Sequence, residues 1–298
     1  MPLALSGIIP PLPTPFEHGH MAPHRLRENI EKLLATGLSG YLVLGSNGEA
    51  PYLSEAEKIE IIRTARAAIP HDKFMLVGTG LEATALATVF TVRAADLGAD
   101  AALVLPPFFY PEQMTHAALR RHYEAIADAA PIPILIYNVP KFTHLNIPME
   151  TIEQLSRHEN IIGIKDSSGN LGQLAALHES APPHFQVLFG TDGVLLGGLV
   201  HGLRGGILAL ANVAPRECVE MLRAVKQEEL FAARLLMQRV SPVGRAATAR
   251  FGVPGLKAML DLLGFYGGDP RLPLLPVSDA IREELRGILQ AAELLPGK

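Results

Sequence analysis

Of the eight lysines in this chain, seven (Lys32, Lys58, Lys73, Lys141, Lys226, Lys257 and Lys298) fall in helical or loop contexts that suit a solvated charge. Lys165 differs, because it closes the apolar run Ile161-Ile162-Gly163-Ile164 and would be carried to the end of a buried strand. Desolvation disfavours the charged form of an amine. An uncharged amine attacks ketones and forms Schiff bases. The competing reading is a strand-end lysine paired with Asp166 or Glu49. Other strand-like runs also end in polar groups, at Gly45-Ser46-Asn47-Gly48-Glu49, Tyr137-Asn138, Lys165-Asp166-Ser167-Ser168-Gly169, Gly190-Thr191-Asp192 and Ala211-Asn212. The Gly-Ser-Asn-Gly stretch is small and rich in donors, which suits a cradle for a carboxylate or phosphate, although the same residues also form ordinary turns. Tyr137 suits a core position with one bonded hydroxyl and becomes a proton relay only if it faces Lys165.

Two further patterns argue against other chemistries. His18-Gly19-His20, with Glu17 and His24 nearby, lacks the HExxH or CxxC spacing of a zinc site and reads as a turn, so no metal is expected. Neither a Walker motif nor a GxGxxG fingerprint follows any strand-like run, and Gly78-Thr79-Gly80 is too short to count, so no nucleotide cofactor is expected.

Residues of this kind need a scaffold that brings strand ends together. Runs of aliphatic and β-branched residues recur at Ile8-Ile9, 40–44, 74–77, 101–105, 132–137, 161–165, 186–189 and 206–208. The interval is about one strand plus one helix with its connections. Helices are predicted between them. Ser54 followed by Glu57 forms a capping box before Ile59, Ile62 and Ala65, and that helix should end near Pro70. Further helices are expected over 84–97, ending at Gly98, over 115–130, and from Pro148 to Leu155, with the proline in the first turn. The strand runs are apolar on consecutive positions, as parallel strands buried on both faces require. Eight βα units form either a (β/α)8 barrel or an open doubly wound sheet, and eight at near-even spacing favour the TIM barrel. After Leu210, helical spacing takes over through 218–240, 253–263 and 278–295. The expected organisation is therefore α/β, with a catalytic barrel over 1–225 and a C-terminal helical region over 226–298.

Composition supports a folded enzyme-sized chain. Among 298 residues, 48% are hydrophobic and 19% charged, which supplies a core and excludes disorder. Lys plus Arg total 26 against 30 Asp plus Glu, a net charge of −4, with no basic run to follow a phosphate backbone, so no nucleic-acid partner is expected. Cys218 stands alone, which excludes an intrachain disulfide and fits a reducing compartment. The start, MPLALSGIIPPLPTP, lacks a basic n-region and is broken by prolines, and no apolar run is long enough to span a membrane. A cytoplasmic location is the expectation.

The motifs Gly45-Ser46-Asn47-Gly48-Glu49, Tyr137-Asn138-Val139-Pro140, Gly163-Ile164-Lys165-Asp166-Ser167-Ser168-Gly169 and Ala211-Asn212, taken in order, resemble the dihydrodipicolinate synthase and N-acetylneuraminate lyase family of Schiff-base aldolases. Within that family, the Ser-Asn loop, 98–102, the segment 250–257 and Tyr266-Gly267-Gly268 are most similar to 4-hydroxy-2-oxoglutarate aldolase. The resemblance implies a barrel with a C-terminal helical extension, a homotetramer, and no metal or organic cofactor. It implies an imine between Lys165 and pyruvate, with Tyr137 shuttling protons. Ser46 and Asn47 would hold the pyruvate carboxylate, Ser167 would contact the distal part of the substrate, and Gly190 and Ile207 would line the pocket beside the imine. Two positions depart from the family. Phe109 stands where a tyrosine commonly reaches a neighbouring subunit's site, with Tyr110 beside it. Phe142 stands where dihydrodipicolinate synthases place an arginine, and a phenyl ring cannot make a bidentate carboxylate contact. The expected reaction is cleavage of 4-hydroxy-2-oxoglutarate to pyruvate and glyoxylate. The alternatives are dihydrodipicolinate synthesis, a 2-keto-3-deoxy sugar acid aldolase or dehydratase, and a non-catalytic pyruvate-binding barrel.

Overall fold

The computed structural model describes residues 5–296. Eight parallel strands form one sheet: Gly7–Ile9, Gly40–Val43, Phe74–Gly78, Ala101–Val104, Ile134–Asn138, Ile161–Asp166, Gln186–Phe189 and Gly205–Ile207. They are numbered here first to eighth. The eighth strand pairs with the first, Ile207 opposite Ile9. The seam between first and second strands is closed by Ser39 N–H donating to Ile8 O, Leu42 N–H to Pro10 O and Leu12 N–H to Leu42 O, at 3.1, 3.0 and 2.8 Å. The sheet is thus a (β/α)8 barrel, as the repeat of apolar runs predicts.

Each strand buries both faces, which is why its sequence does not alternate. Leu42, Leu76, Leu103, Leu135, Leu188 and Ile207 fill the barrel interior. Their neighbours Tyr41, Val43, Val77, Val104, Ile134 and Ile136 pack outward into the core shared with the helices. The capping box is present: Glu57 N–H donates to Ser54 Oγ, and Ser54 N–H donates back to the Glu57 carboxylate, starting the helix Glu55–Ala68. Thr115 caps His116–Ala129 by accepting from the Ala118 N–H, without a reciprocal bond. Pro148 is itself the N-cap of Met149–Leu155, one position before the first turn predicted for it.

The late helices are more broken than their apolar spacing suggests. The run over 218–240 divides into Pro215–Lys226 and Leu230–Arg245, because Glu228 adopts a left-handed φ of 62° between them. Arg245 leads into a π-helical turn, Ala246–Arg250, followed by Gly252–Leu262 and Asp279–Ala291. A short hairpin, Phe16–Glu17 with His20–Met21, turns at His18-Gly19. Among the described residues no cluster of His, Cys, Asp or Glu is arranged to hold a metal ion, and no helix is long and apolar enough to cross a membrane.

Candidate active site

The site is assembled at the C-terminal ends of the strands, where a parallel barrel collects polar groups. Lys165 lies on the sixth strand, opposite Tyr137 on the fifth and Leu188 on the seventh. A local irregularity creates the first of these pairings. Ile134 pairs with Ile161 but Leu135 pairs with Gly163, so Ile162 is an extra residue in the sixth strand. Without that shift Tyr137 would stand opposite Ile164, and a one-residue slip turns a side chain to the other face. Bulges that re-aim a side chain recur beside active sites. Gly163 permits this one, since a Cβ there would fall 2.3 Å from the Gln186 carbonyl oxygen.

The Lys165 Nζ sits 4.2 Å from the centre of the Tyr137 ring, and Lys165 as a whole is 3% exposed. Neither carboxylate that could have neutralised it is available. Asp166 accepts from Asn138 Nδ2 and Gln173 Nε2, both at 2.7 Å, and from Ser168 N–H and hydroxyl. Glu49 accepts from Lys257 Nζ at 2.7 Å. Among the described residues the Lys165 side chain makes no hydrogen bond or ion pair, so the competing strand-end pairing is not what this lysine does.

The proposed relay and cradle converge on the same point. The Tyr137 hydroxyl is 3.4 Å from Ser46 Oγ. That is long for a hydroxyl pair, and such contacts tighten when substrate arrives. Ser46 and Asn47 belong to a 3-10 turn, Ser46–Gly48, directly after the second strand, and both are partly exposed. Below the turn, the Thr14 hydroxyl donates to Gly48 O at 2.6 Å. Gly190 packs against the reactive side chain: a Cβ there would fall 2.0 Å from Ser167 Oγ and 3.0 Å from Lys165 Cε. The Ser167 hydroxyl is buried and has no hydrogen-bond partner among the described residues, a spare polar group beside the lysine. Ile207 is fully buried in the same interior layer as Tyr137 and Leu188.

The remaining sequence candidates are placed differently. Phe109 is 70% exposed and Tyr110 65%, on a loop whose Phe108 and Phe109 N–H groups both donate to Glu82. Neither contacts Lys165 or Tyr137 within this chain. Phe142 stands half-exposed in the short helix Pro140–Thr143 after the fifth strand. Asn212 is buried and structural, donating to Pro11 O and Ala209 O. His18 and Gly19 form the hairpin turn expected of them.

Sequence reasoning missed two groups. Lys257 is not a solvated lysine: it is wholly buried, paired with Glu49, and donates to Asp269 O at 3.0 Å. Its flanks, Gly-Leu before and Ala-Met-Leu after, carried the signal. Asp192, two residues past Gly190, is also buried, and desolvation pushes its carboxyl up to about 6.

A family model described as the dihydrodipicolinate synthetase family matches residues 4–292. The chain belongs to that family. Its members are lyases of the aldolase type that work through a Schiff-base lysine, and this chain is a class I pyruvate-dependent aldolase of the same kind. A 4-hydroxy-tetrahydrodipicolinate synthase of Methanothrix thermoacetophila is 35% identical, covering 98% of each chain. The synthase of Methanospirillum hungatei is 36% identical over 95% of this chain and 98% of its own. The crystal structure of a chloride-inhibited dihydrodipicolinate synthase from Acinetobacter baumannii, complexed with pyruvate, superposes with a TM-score of 0.93 at 29% identity, covering 98% of this chain and 100% of that one. These relatives carry the synthase name, and none of them supports the particular likeness to 4-hydroxy-2-oxoglutarate aldolase that the late segments suggest.

Proposed function

We propose that Lys165 forms an imine with pyruvate and that the physiological reaction is retro-aldol cleavage of 4-hydroxy-2-oxoglutarate to pyruvate and glyoxylate. The observation that carries the imine is the unpaired, buried lysine under the Tyr137 ring. The lysine nitrogen adds to the ketone carbon of the substrate. Tyr137 protonates the oxygen as it gains charge, and water leaves. The C4 hydroxyl then gives up its proton as the C3–C4 bond breaks, and glyoxylate departs. The electron pair is held as an enamine that takes a proton at C3, and water hydrolyses the resulting pyruvate imine to free pyruvate and Lys165. Ser46 and Asn47 receive the carboxylate next to the ketone, and Gly190 and Ile207 wall the pocket.

The acceptor assignment rests on Phe142 and Ser167. Aspartate semialdehyde brings a carboxylate and an ammonium, and a charge without a partner in a partly desolvated pocket loses several kcal/mol. Phe142 offers it no bidentate donor. The shorter glyoxylate carboxylate is within the means of the unpartnered Ser167 hydroxyl and loop N–H groups. The second reading is 4-hydroxy-tetrahydrodipicolinate synthesis, favoured by the names of the relatives. Side-by-side kinetics decide between them, with 2-keto-3-deoxygluconate as a third substrate. The cleavage reading expects kcat/KM at least roughly tenfold above that for the semialdehyde, about 1.4 kcal/mol in transition-state binding. Faster use of the semialdehyde rejects it in favour of the synthase.

The assembly we propose is a cytoplasmic homotetramer of 32.0 kDa chains. Leu86, Val89, Phe109 and Tyr110 are all more than 60% exposed, apolar area that a second copy would cover. Light scattering at micromolar concentration tests it, and a monomeric mass with full activity rejects it.

A further inference from the structure

The C-terminal region reaches the carboxylate cradle through a buried charge. Glu49 joins the turn carrying Ser46 and Asn47 to the next turn, Ala50–Tyr52, and holds a left-handed φ of 56°, an uncommon conformation for a residue with a Cβ. Its side chain is completely shielded from solvent. One carboxylate oxygen accepts from Lys257 Nζ at 2.7 Å and the other from the Arg271 N–H at 2.8 Å. Lys257 is shielded as well, resting 4.4 Å from the centre of the Phe16 ring. The Arg271 guanidinium packs near the same ring at 4.3 Å, grips Glu57, and donates to Tyr52 O and Gly19 O.

A buried ion pair is weak evidence for stability, since apolar replacements of similar volume are often as good. Placement is a better account of this one. The pair spans 208 positions of sequence and ends on the residue that sets the backbone direction of the cradle. We infer that Lys257 is a positioning residue: by fixing Glu49 it holds the Ser46–Gly48 turn in the form that receives the pyruvate carboxylate. The helix Gly252–Leu262 and the strap carrying Arg271 thereby become part of substrate recognition. This rests on the proposed pyruvate imine and adds a specific demand, that the pair serves the carboxylate of the substrate and not its ketone.

Two ketones separate those demands. Each adds to the Lys165 amine, loses water, and is fixed when borohydride delivers hydride to the imine carbon; only pyruvate has a carboxylate, whereas acetone has none. The informative variant is Glu49→Gln with Lys257→Met, which removes both charges together so that neither is left buried alone. Lys257→Met by itself is the companion, used if it folds. The double variant is expected to need at least about tenfold more pyruvate for half-maximal trapping while its acetone trapping stays within about twofold of the parent, a split that general loosening of the barrel does not produce. An unshifted pyruvate requirement, or equal losses with both ketones, overturns the positioning role while leaving the imine standing. Failure of the parent protein to trap pyruvate at all overturns the imine reading and this inference with it.

Discussion

Gly190→Ala tests whether the reactive lysine is held by the closeness of its neighbours. The new Cβ would fall 2.0 Å from Ser167 Oγ, 3.0 Å from Lys165 Cε and 3.1 Å from Asp166 O. Carbon atoms rest at about 3.5 to 4.0 Å. The Ser167 hydroxyl must therefore swing away by more than ~1 Å, and the end of Lys165 must yield by a few tenths. Overpacking of this kind costs about 1–3 kcal/mol of stability. Misplacing a reacting group by about 1 Å costs on the order of 10²-fold in rate. The lysine yields by only a few tenths of an ångström, so Gly190→Ala should lower kcat/KM for aldol cleavage by roughly tenfold, less than a full ~1 Å displacement would cost, with a matching fall in the rate of pyruvate trapping. Adding Ser167→Ala removes the worst clash but leaves the lysine contact, so the double variant should regain most of the stability and little of the rate. The two changes touch, so their effects should be non-additive by about 0.5–3 kcal/mol. Wild-type kcat/KM and stability in Gly190→Ala would refute the packing argument.

Two other perturbations bear on separate parts of the account. Tyr137→Phe should reduce turnover by roughly 10² to 10⁴-fold, the range of a general acid, with a smaller change in the pyruvate needed for half-saturation; steady-state kinetics check it, and unchanged turnover removes Tyr137 from the relay. Burial raises the Asp192 carboxyl from 3.8 to about 6, so the folded state binds its proton more tightly than the unfolded chain does. The resulting stability is complete below about pH 4 and is lost as pH rises through about 6, a change on the order of 3 kcal/mol. The Thr248 hydroxyl at 3.3 Å and the Leu210 N–H at 3.4 Å donate to Asp192 and favour its carboxylate, but burial outweighs them. Asp192→Asn should flatten that dependence in denaturant titrations across the interval, and an unaltered slope would show that Asp192 is not its source.

Much of the barrel was readable because buried parallel strands leave unbroken apolar runs, and a polar residue closing such a run marks the barrel mouth. Lys165, Tyr137 and Ser46 stand at strand ends of that kind, Gly190 follows only from the family resemblance, and the structure brings all four to one place. Why Tyr137 faces Lys165 was not readable. That depends on Ile162 being extra in its strand, a register property to which Gly163 alone gave a hint. The Phe16–Glu17 and His20–Met21 strands are two residues each, too short for periodicity to register. The Glu49–Lys257 pair joins distant segments: local context presented Lys257 as an ordinary solvated charge and offered Glu49 only Lys165 as a partner.

The most direct measurement is peptide mapping after borohydride reduction with pyruvate. The account predicts one adduct, of pyruvate less water plus two hydrogens, on the peptide containing Lys165. Lys257, buried against Glu49, and Lys141, donating to Thr248 O, serve as internal controls and should stay unmodified. An adduct confined to another lysine, or none at saturating pyruvate with folded protein, would contradict the imine on Lys165.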